Sequence, residues 1–141
     1  MMTGVFEVNS VEETWALARR LAAELNPGEV VCLEGDLGAG KTTFTQGLAA
    51  ALGVPGRVNS PTFCIVQEHR GKQLLVHMDL YRLHNEDDVI AIGWEDYLAE
   101  GAILVVEWPE RAGELIPRSA RHIVFTHLEG EESRRIEFKS E

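Results

Sequence analysis

The sequence predicts a three-layer α/β domain whose sheet mixes parallel and antiparallel strands. Three observations predict it. Strand-like and helix-like segments alternate over the first half of the chain, the second half gives way to strand pairs joined by short polar turns, and a glycine-rich turn separates one buried strand from the helix after it. The chain has 141 residues, 45% of them hydrophobic and 26% charged, which is ordinary globular usage and enough to bury a core as one domain over residues 1–141.

Val5 to Val8 alternates as a short strand. Ser10-Val11-Glu12-Glu13 has the spacing of a capping box and opens a helix to about Leu25, stopped by Asn26-Pro27-Gly28. Glu29 to Glu34 is too brief and too β-branched for a helix and reads as a buried strand. A second helix runs from Lys41 to Leu52 and is closed by Gly53. Phe63 to Glu68 and Gln73 to Met78 read as a hairpin around His69-Arg70-Gly71-Lys72. Asn85 and the acids at 86–88 cap a helical stretch through Glu100 that Gly93 should break. Ala102 to Glu107 is a continuous apolar strand, and Arg121 to Leu128 pairs with Arg134 to Phe138.

Charge narrows the function. Thirteen basic against 23 acidic residues leave a net charge of −10, so the surface repels phosphate backbones and autonomous nucleic-acid binding is not expected. No apolar run is long enough to span a membrane and the N-terminus lacks the pattern of a signal peptide, so a cytoplasmic location is expected. Cys32 and Cys64 lie in apolar segments and read as buried free thiols, and the five histidines have no zinc-site spacing.

The segment that carries chemistry is Gly35-Asp36-Leu37-Gly38-Ala39-Gly40-Lys41-Thr42, a full match to the phosphate loop GxxxxGK[ST] between a predicted strand and a predicted helix. Chance alone would produce it in a chain of this composition on the order of once in five hundred. Glycines let the backbone turn its N–H groups toward an anion, and the helix that follows adds unpaired amides and a positive dipole end. Asp36, Leu37, Gly38, Ala39, Gly40, Lys41, Thr42 and Thr43 should therefore cradle phosphates, with the Lys41 ammonium on the β and γ groups and the Thr42 hydroxyl on magnesium. A three-layer nucleotide-binding domain built on a phosphate loop follows.

Hydrolysis needs more than that loop. Leu104-Val105-Val106-Glu107 is an apolar strand ending in a carboxylate. Beside the phosphate-loop strand it would bring Glu107 to the C-terminal sheet edge as a second metal partner, direct or through water. Asp79, just after another apolar run, is the other candidate, for organising water or the metal shell, or for capping a turn if its strand lies at the edge. Asn59-Ser60-Pro61-Thr62-Phe63 reads either as a plain proline-bearing turn or as a nucleotide switch whose Ser or Thr reaches the γ phosphate, with Thr62 the assigned contact. Trp108 offers an indole to cover the nucleotide or, as Trp-Pro after a strand, to pack a corner, and Arg134 or Arg135 a guanidinium to stack on a base, of which Arg134 is assigned. Arg82 reads as a surface ion-pair partner and His77 as a satisfied structural histidine. These residues admit an ATPase, a small-molecule kinase or a non-catalytic nucleotide-binding scaffold.

Taken jointly, 35–43, Ser-Pro-Thr-Phe (60–63), His-x-Asp-x-Tyr-Arg (77–82), Gly-Trp-Glu-Asp-Tyr (93–97) and Val-Glu-Trp-Pro-Glu (106–110) resemble the bacterial TsaE family. The resemblance implies a small ATPase of tRNA threonylcarbamoyladenosine biosynthesis that binds ATP and magnesium and hydrolyses slowly alone. It further implies work with the proteins TsaB and TsaD on ANN-decoding tRNAs, the tRNA being reached only through that complex. It also implies that Thr42 and Glu107 hold magnesium, that Asp79 is needed for activity, that Ser60 and Thr62 belong to a switch loop, and that Trp108 neighbours the nucleotide. Met78 stands where the family pattern has an aromatic residue, on the side of the strand that should face away from the site.

Overall fold

In the computed structural model, which describes residues 2–36, 39–55 and 65–139, seven strands form one mixed sheet. In chain order the elements are β1 (Gly4–Val8), α1 (Val11–Ala22), β2 (Val30–Gly35), α2 (Lys41–Ala51), β3 (Val66–Arg70), β4 (Leu74–Asp79), α3 (Glu86–Ala91), α4 (Trp94–Ala99), β5 (Ile103–Glu107), a 3₁₀ segment (Pro109–Leu115), β6 (Arg121–His127) and β7 (Arg134–Phe138). The strand order is β1-β7-β6-β2-β5-β4-β3. The four central strands, β6, β2, β5 and β4, run parallel, and the pairs β1–β7, β6–β7 and β3–β4 are antiparallel. The predicted architecture and both predicted strand pairs are therefore present. The 3₁₀ segment was not foreseen, although Pro109 at its start is a signal for one.

The layers follow from strand alternation. Val31 and Leu33 of β2, and Ile103 and Val105 of β5, face Leu17, Leu21, Phe44 and Leu48 of α1 and α2. Val30, Cys32, Leu104 and Val106 face Val89, Trp94 and Ala112, which belong to α3, α4 and the 3₁₀ segment. Buried on both faces, the central strands read as unbroken apolar runs, which is how a parallel core differs from a half-exposed sheet. Cys32 is a buried free thiol whose pKa burial pushes up to about 12, so it is inert. Cys64 lies outside the described residues. No helix among the described residues is long and apolar enough to cross a membrane.

The caps work as their residue types predict. Ser10 Oγ accepts from Glu13 N at 3.1 Å, while the Glu13 carboxylate accepts from Asn9 N at 2.6 Å, one residue upstream of the usual return contact. Helix α1 stops at Ala22, three residues early, and two tighter turn bonds carry the chain to Leu25. Asn85 caps α3 through Asp88 N, and Gly93, at φ 102°, ends it and starts α4.

Gly35 closes β2 opposite Phe125 of β6 at φ 148°, and a Cβ there would sit 2.6 Å from the Phe125 carbonyl oxygen. That obstacle is backbone and cannot swing aside. Gly35→Ala should accordingly destabilise the ligand-free protein by about 2–4 kcal/mol, combining overpacking with backbone strain. A urea midpoint equal to the parent's would show that the β2–β6 junction tolerates the methyl group.

Candidate functional site

Chain path explains where a site can form. After β2 the chain departs toward β3 and β4, returns as β5 on one side of β2, and crosses to β6 on the other. The C-terminal end of β2 is thus the point where the connections diverge, and open α/β sheets bind ligands there. The phosphate-loop motif occupies that end, and α2 begins from it.

The start of α2 differs chemically from those of α1 and α3. Its N-cap is Gly40, at φ 105° and without a side-chain cap, and its first turn carries no acid. Helices α1 and α3 have Ser10 and Asn85 as caps and two and three acids in the first turn. The α2 terminus has no side-chain cap, and its own first turn offers the dipole end no carboxylate. Ala39 is buried and turns back through its N–H to the Asp36 carbonyl at 3.0 Å. Lys41, Thr42 and Thr43 follow in the first turn, half-buried, and Asp36 is exposed. Leu37 and Gly38 lie outside the described residues, as do Ser60 and Thr62, so the switch-loop reading is not addressed by the geometry.

Lys41 Nζ donates to the Gly35 carbonyl at 2.6 Å and pairs with Glu107 Oε1 at 3.3 Å. Glu107 comes from β5, whose parallel register sets Leu33 opposite Glu107, and Asp79 lies opposite it on β4. Because side chains alternate, Glu107 shares the α1/α2 face with Ile103 and Val105, and Asp79 shares it with Leu75. Met78 points the other way, into the opposite core with Val106, as expected for a position that faces away from the site.

Glu107 is 7% exposed. Burial pushes its pKa up, but the hydrogen bond and charge of His77 and the nearby Lys41 ammonium outweigh burial and hold it below the ordinary value. It is an ionised group in a nearly dry setting. Asp79 is half-buried and its Oδ1 accepts from Tyr81 N at 3.0 Å. The turn cap anticipated for an edge strand thus forms although β4 is internal, with β3 outside it.

Trp108 follows Glu107 with φ 59°, the one described non-glycine residue at positive φ, a conformation that costs on the order of 1–3 kcal/mol. The strained residue ends β5 and turns its indole outward, 41% exposed and 4.8 Å from the Tyr81 ring. Arg134 reaches the loop from β7: its Cγ and Nε stand 3.6 and 3.8 Å from where a Cβ on Gly40 would be. Its guanidinium donates to the Glu131 and Ser133 carbonyls, and its buried Nε has no hydrogen-bond partner among the described residues. Arg135 instead pairs with Glu7 at 3.5 Å.

A family model described as threonylcarbamoyl adenosine biosynthesis protein TsaE matches residues 8–136, a span that holds every residue of this cluster. The chain belongs to the TsaE family. It is 44% identical over 128 residues to the tRNA threonylcarbamoyladenosine biosynthesis protein TsaE of Bacillus subtilis, covering 90% of this chain and 79% of that protein. To the protein of the same name from Aquifex aeolicus it is 47% identical over 107 residues, 74% of this chain and 75% of that one. The crystal structure of Bacillus subtilis YdiB is similar with a TM-score of 0.75 and 36% identity, covering 98% of this chain and 86% of that one.

Sequence reasoning underrated one residue of this TsaE family member. His77 is fully buried and its Nε2 stands 2.7 Å from Glu107 Oε2. It is only half satisfied, since its Nδ1 has no partner among the described residues. The available signal was period two along β4, which sets His77 on the same face as Asp79.

Proposed function

We propose that this chain is an ATP-binding, slowly hydrolysing ATPase that supports TsaB and TsaD homologues in threonylcarbamoylation of the adenosine next to the anticodon of ANN-decoding tRNAs. Family membership and the names of its relatives support the pathway. The observation that carries the ATPase reading is the meeting of Lys41 and Glu107 at the start of α2. One residue brings the charge that a polyphosphate needs, and the other an ionised oxygen donor that a hard divalent cation needs.

In this reading the amides from Asp36 to Thr43 hold the phosphates, and Lys41 moves from Gly35 and Glu107 onto the β and γ oxygens. Thr42 and Glu107 would hold Mg²⁺, two hard oxygen donors for a cation that otherwise takes ligands from phosphate and water. Bound there, Mg²⁺ would neutralise charge that develops on the phosphate oxygens. Asp79, beside Glu107 in the register, orients water, Thr62 senses the γ phosphate, Trp108 covers the nucleotide, and Arg134 stacks on the base from beside Gly40. The acidic surface, at −10, makes autonomous contact with tRNA unfavourable, so the substrate is reached through the partners. ATP and ADP then act by binding two loop states with different affinity, which alters the fit to the partner complex.

Reconstitution tests the proposal. The TsaB and TsaD homologues, an ANN-decoding tRNA, Mg-ATP and a threonylcarbamoyl donor should give modified tRNA over many turnovers only when this chain is added, with ADP released. Sustained modification without the chain would remove it from the reaction. A phosphorylated small molecule in place of released phosphate would make it a kinase.

A further inference from the structure

We infer that His77 is a positioning residue for the cation site: it holds the Glu107 carboxylate in the orientation in which its other oxygen meets the metal. The inference rests on the reading of Glu107 as a magnesium ligand.

Strand β5 fixes the Glu107 backbone, but a glutamate keeps three side-chain torsions whose freezing costs conformational entropy. Two contacts hold this one, Oε1 to Lys41 at 3.3 Å and Oε2 to His77 at 2.7 Å. The first is temporary if Lys41 serves the phosphates. The second is independent of nucleotide, because His77 is fully buried on an internal strand whose register with β5 is set by main-chain pairing from Leu75–Ile103 to Asp79–Glu107. An ionised carboxylate only accepts, so His77 Nε2 donates. When Lys41 leaves, Oε1 is freed in place and Oε2 stays tied.

Core packing does not account for this histidine. Leu75, Val105 and Ile103 occupy the same layer of the core, and an apolar side chain at 77 would pack among them without burying a ring nitrogen, leaving only Glu107 Oε2 without its partner. His77 instead buries an Nδ1 with no partner among the described residues, and an unpaired buried nitrogen counts against a histidine placed there for packing alone. Its one side-chain hydrogen bond among the described residues goes to the carboxylate, and hydrogen bonds behind metal-ligating groups are typically worth 10–100-fold in metal affinity.

The test separates orientation from fold. His77→Gln keeps an amide nitrogen near the Nε2 position, whereas His77→Asn is too short to reach Glu107. The Mg²⁺ concentration that half-saturates the enhancement of ATP binding is read by calorimetry, together with ATP affinity in EDTA and thermal stability. His77→Asn should raise that Mg²⁺ concentration about tenfold or more and leave ATP affinity in EDTA within about threefold, and His77→Gln should recover most of the loss. In a Glu107→Gln background the His77→Asn effect should vanish, because nothing remains to orient.

An unchanged Mg²⁺ dependence in His77→Asn, or an equal loss in both backgrounds, overturns the inference. If His77→Asn does not fold, His77→Leu fills the same space. Failure of both to fold assigns His77 to the core and also overturns it. Glu107→Gln alone distinguishes the underlying reading: no change of Mg²⁺ dependence in that variant removes Glu107 from the metal, whatever His77 does.

Discussion

Lys41→Ala should lower ATP affinity by at least about a hundredfold while the folded domain persists. The Lys41 side chain is 12% exposed and holds two oxygens, the Gly35 carbonyl at 2.6 Å and Glu107 at 3.3 Å. Exchanging them for two phosphate oxygens converts one neutral contact into a charged one and puts the cation against several negative charges. Two charge-assisted hydrogen bonds together contribute about 3–6 kcal/mol, which is 10²-fold or more. Folding loses much less. The methylene stem of Lys41 packs at a helix end rather than in the layer formed by Phe44 and Leu48, and Glu107 keeps its bond to His77. Its carboxyl pKa should rise once the ammonium is gone, because the Lys41 charge is one of the causes holding it down. Calorimetric titration with ATP and a thermal melt check both halves. Retained affinity in a folded Lys41→Ala protein would remove the lysine from the phosphate site and with it the reading of the loop.

The parts of this site that the sequence reveals are those written within one element. Eight consecutive residues spell the loop, and its strand and helix flanks are readable from a β-branched run and a capping position. Glu107 was legible for a second reason: an apolar run that ends in an acid belongs beside another such run, and the parallel register places Glu107 opposite Leu33. What stayed hidden depends on which strands are neighbours. The order that sets β6 against β2, and so requires Gly35 to be glycine beyond any need of the loop, is decided by packing of both faces at once. Along the chain His77 reads as a satisfied structural histidine, because its partner lies 30 residues away on another strand. The left-handed backbone of Trp108 has no local signal, since tryptophan has no preference for positive φ.

Glu107→Gln should move nucleotide affinity in opposite directions with and without magnesium. In the metal-free protein the carboxylate does two things against ATP: it holds the lysine that the phosphates require, and it adds a full negative charge at the loop in a setting with little screening. Neutralising it with an isosteric amide removes both, so ATP in EDTA should bind more tightly, by about tenfold, or about 1.4 kcal/mol. With saturating Mg²⁺ the sign reverses. The amide is a poorer ligand for a hard cation than an ionised carboxylate, so Mg-ATP should bind more weakly, again by about tenfold, and hydrolysis should fall further because charge on the leaving phosphates is less well neutralised. Stability cannot mimic that crossing, because a misfolded fraction lowers apparent affinity in both conditions. Parallel calorimetry in EDTA and in Mg²⁺ on one preparation decides the matter. Shifts of the same sign would mean that Glu107 acts on nucleotide only through Lys41, as an ion-pair partner that leaves the metal to other ligands.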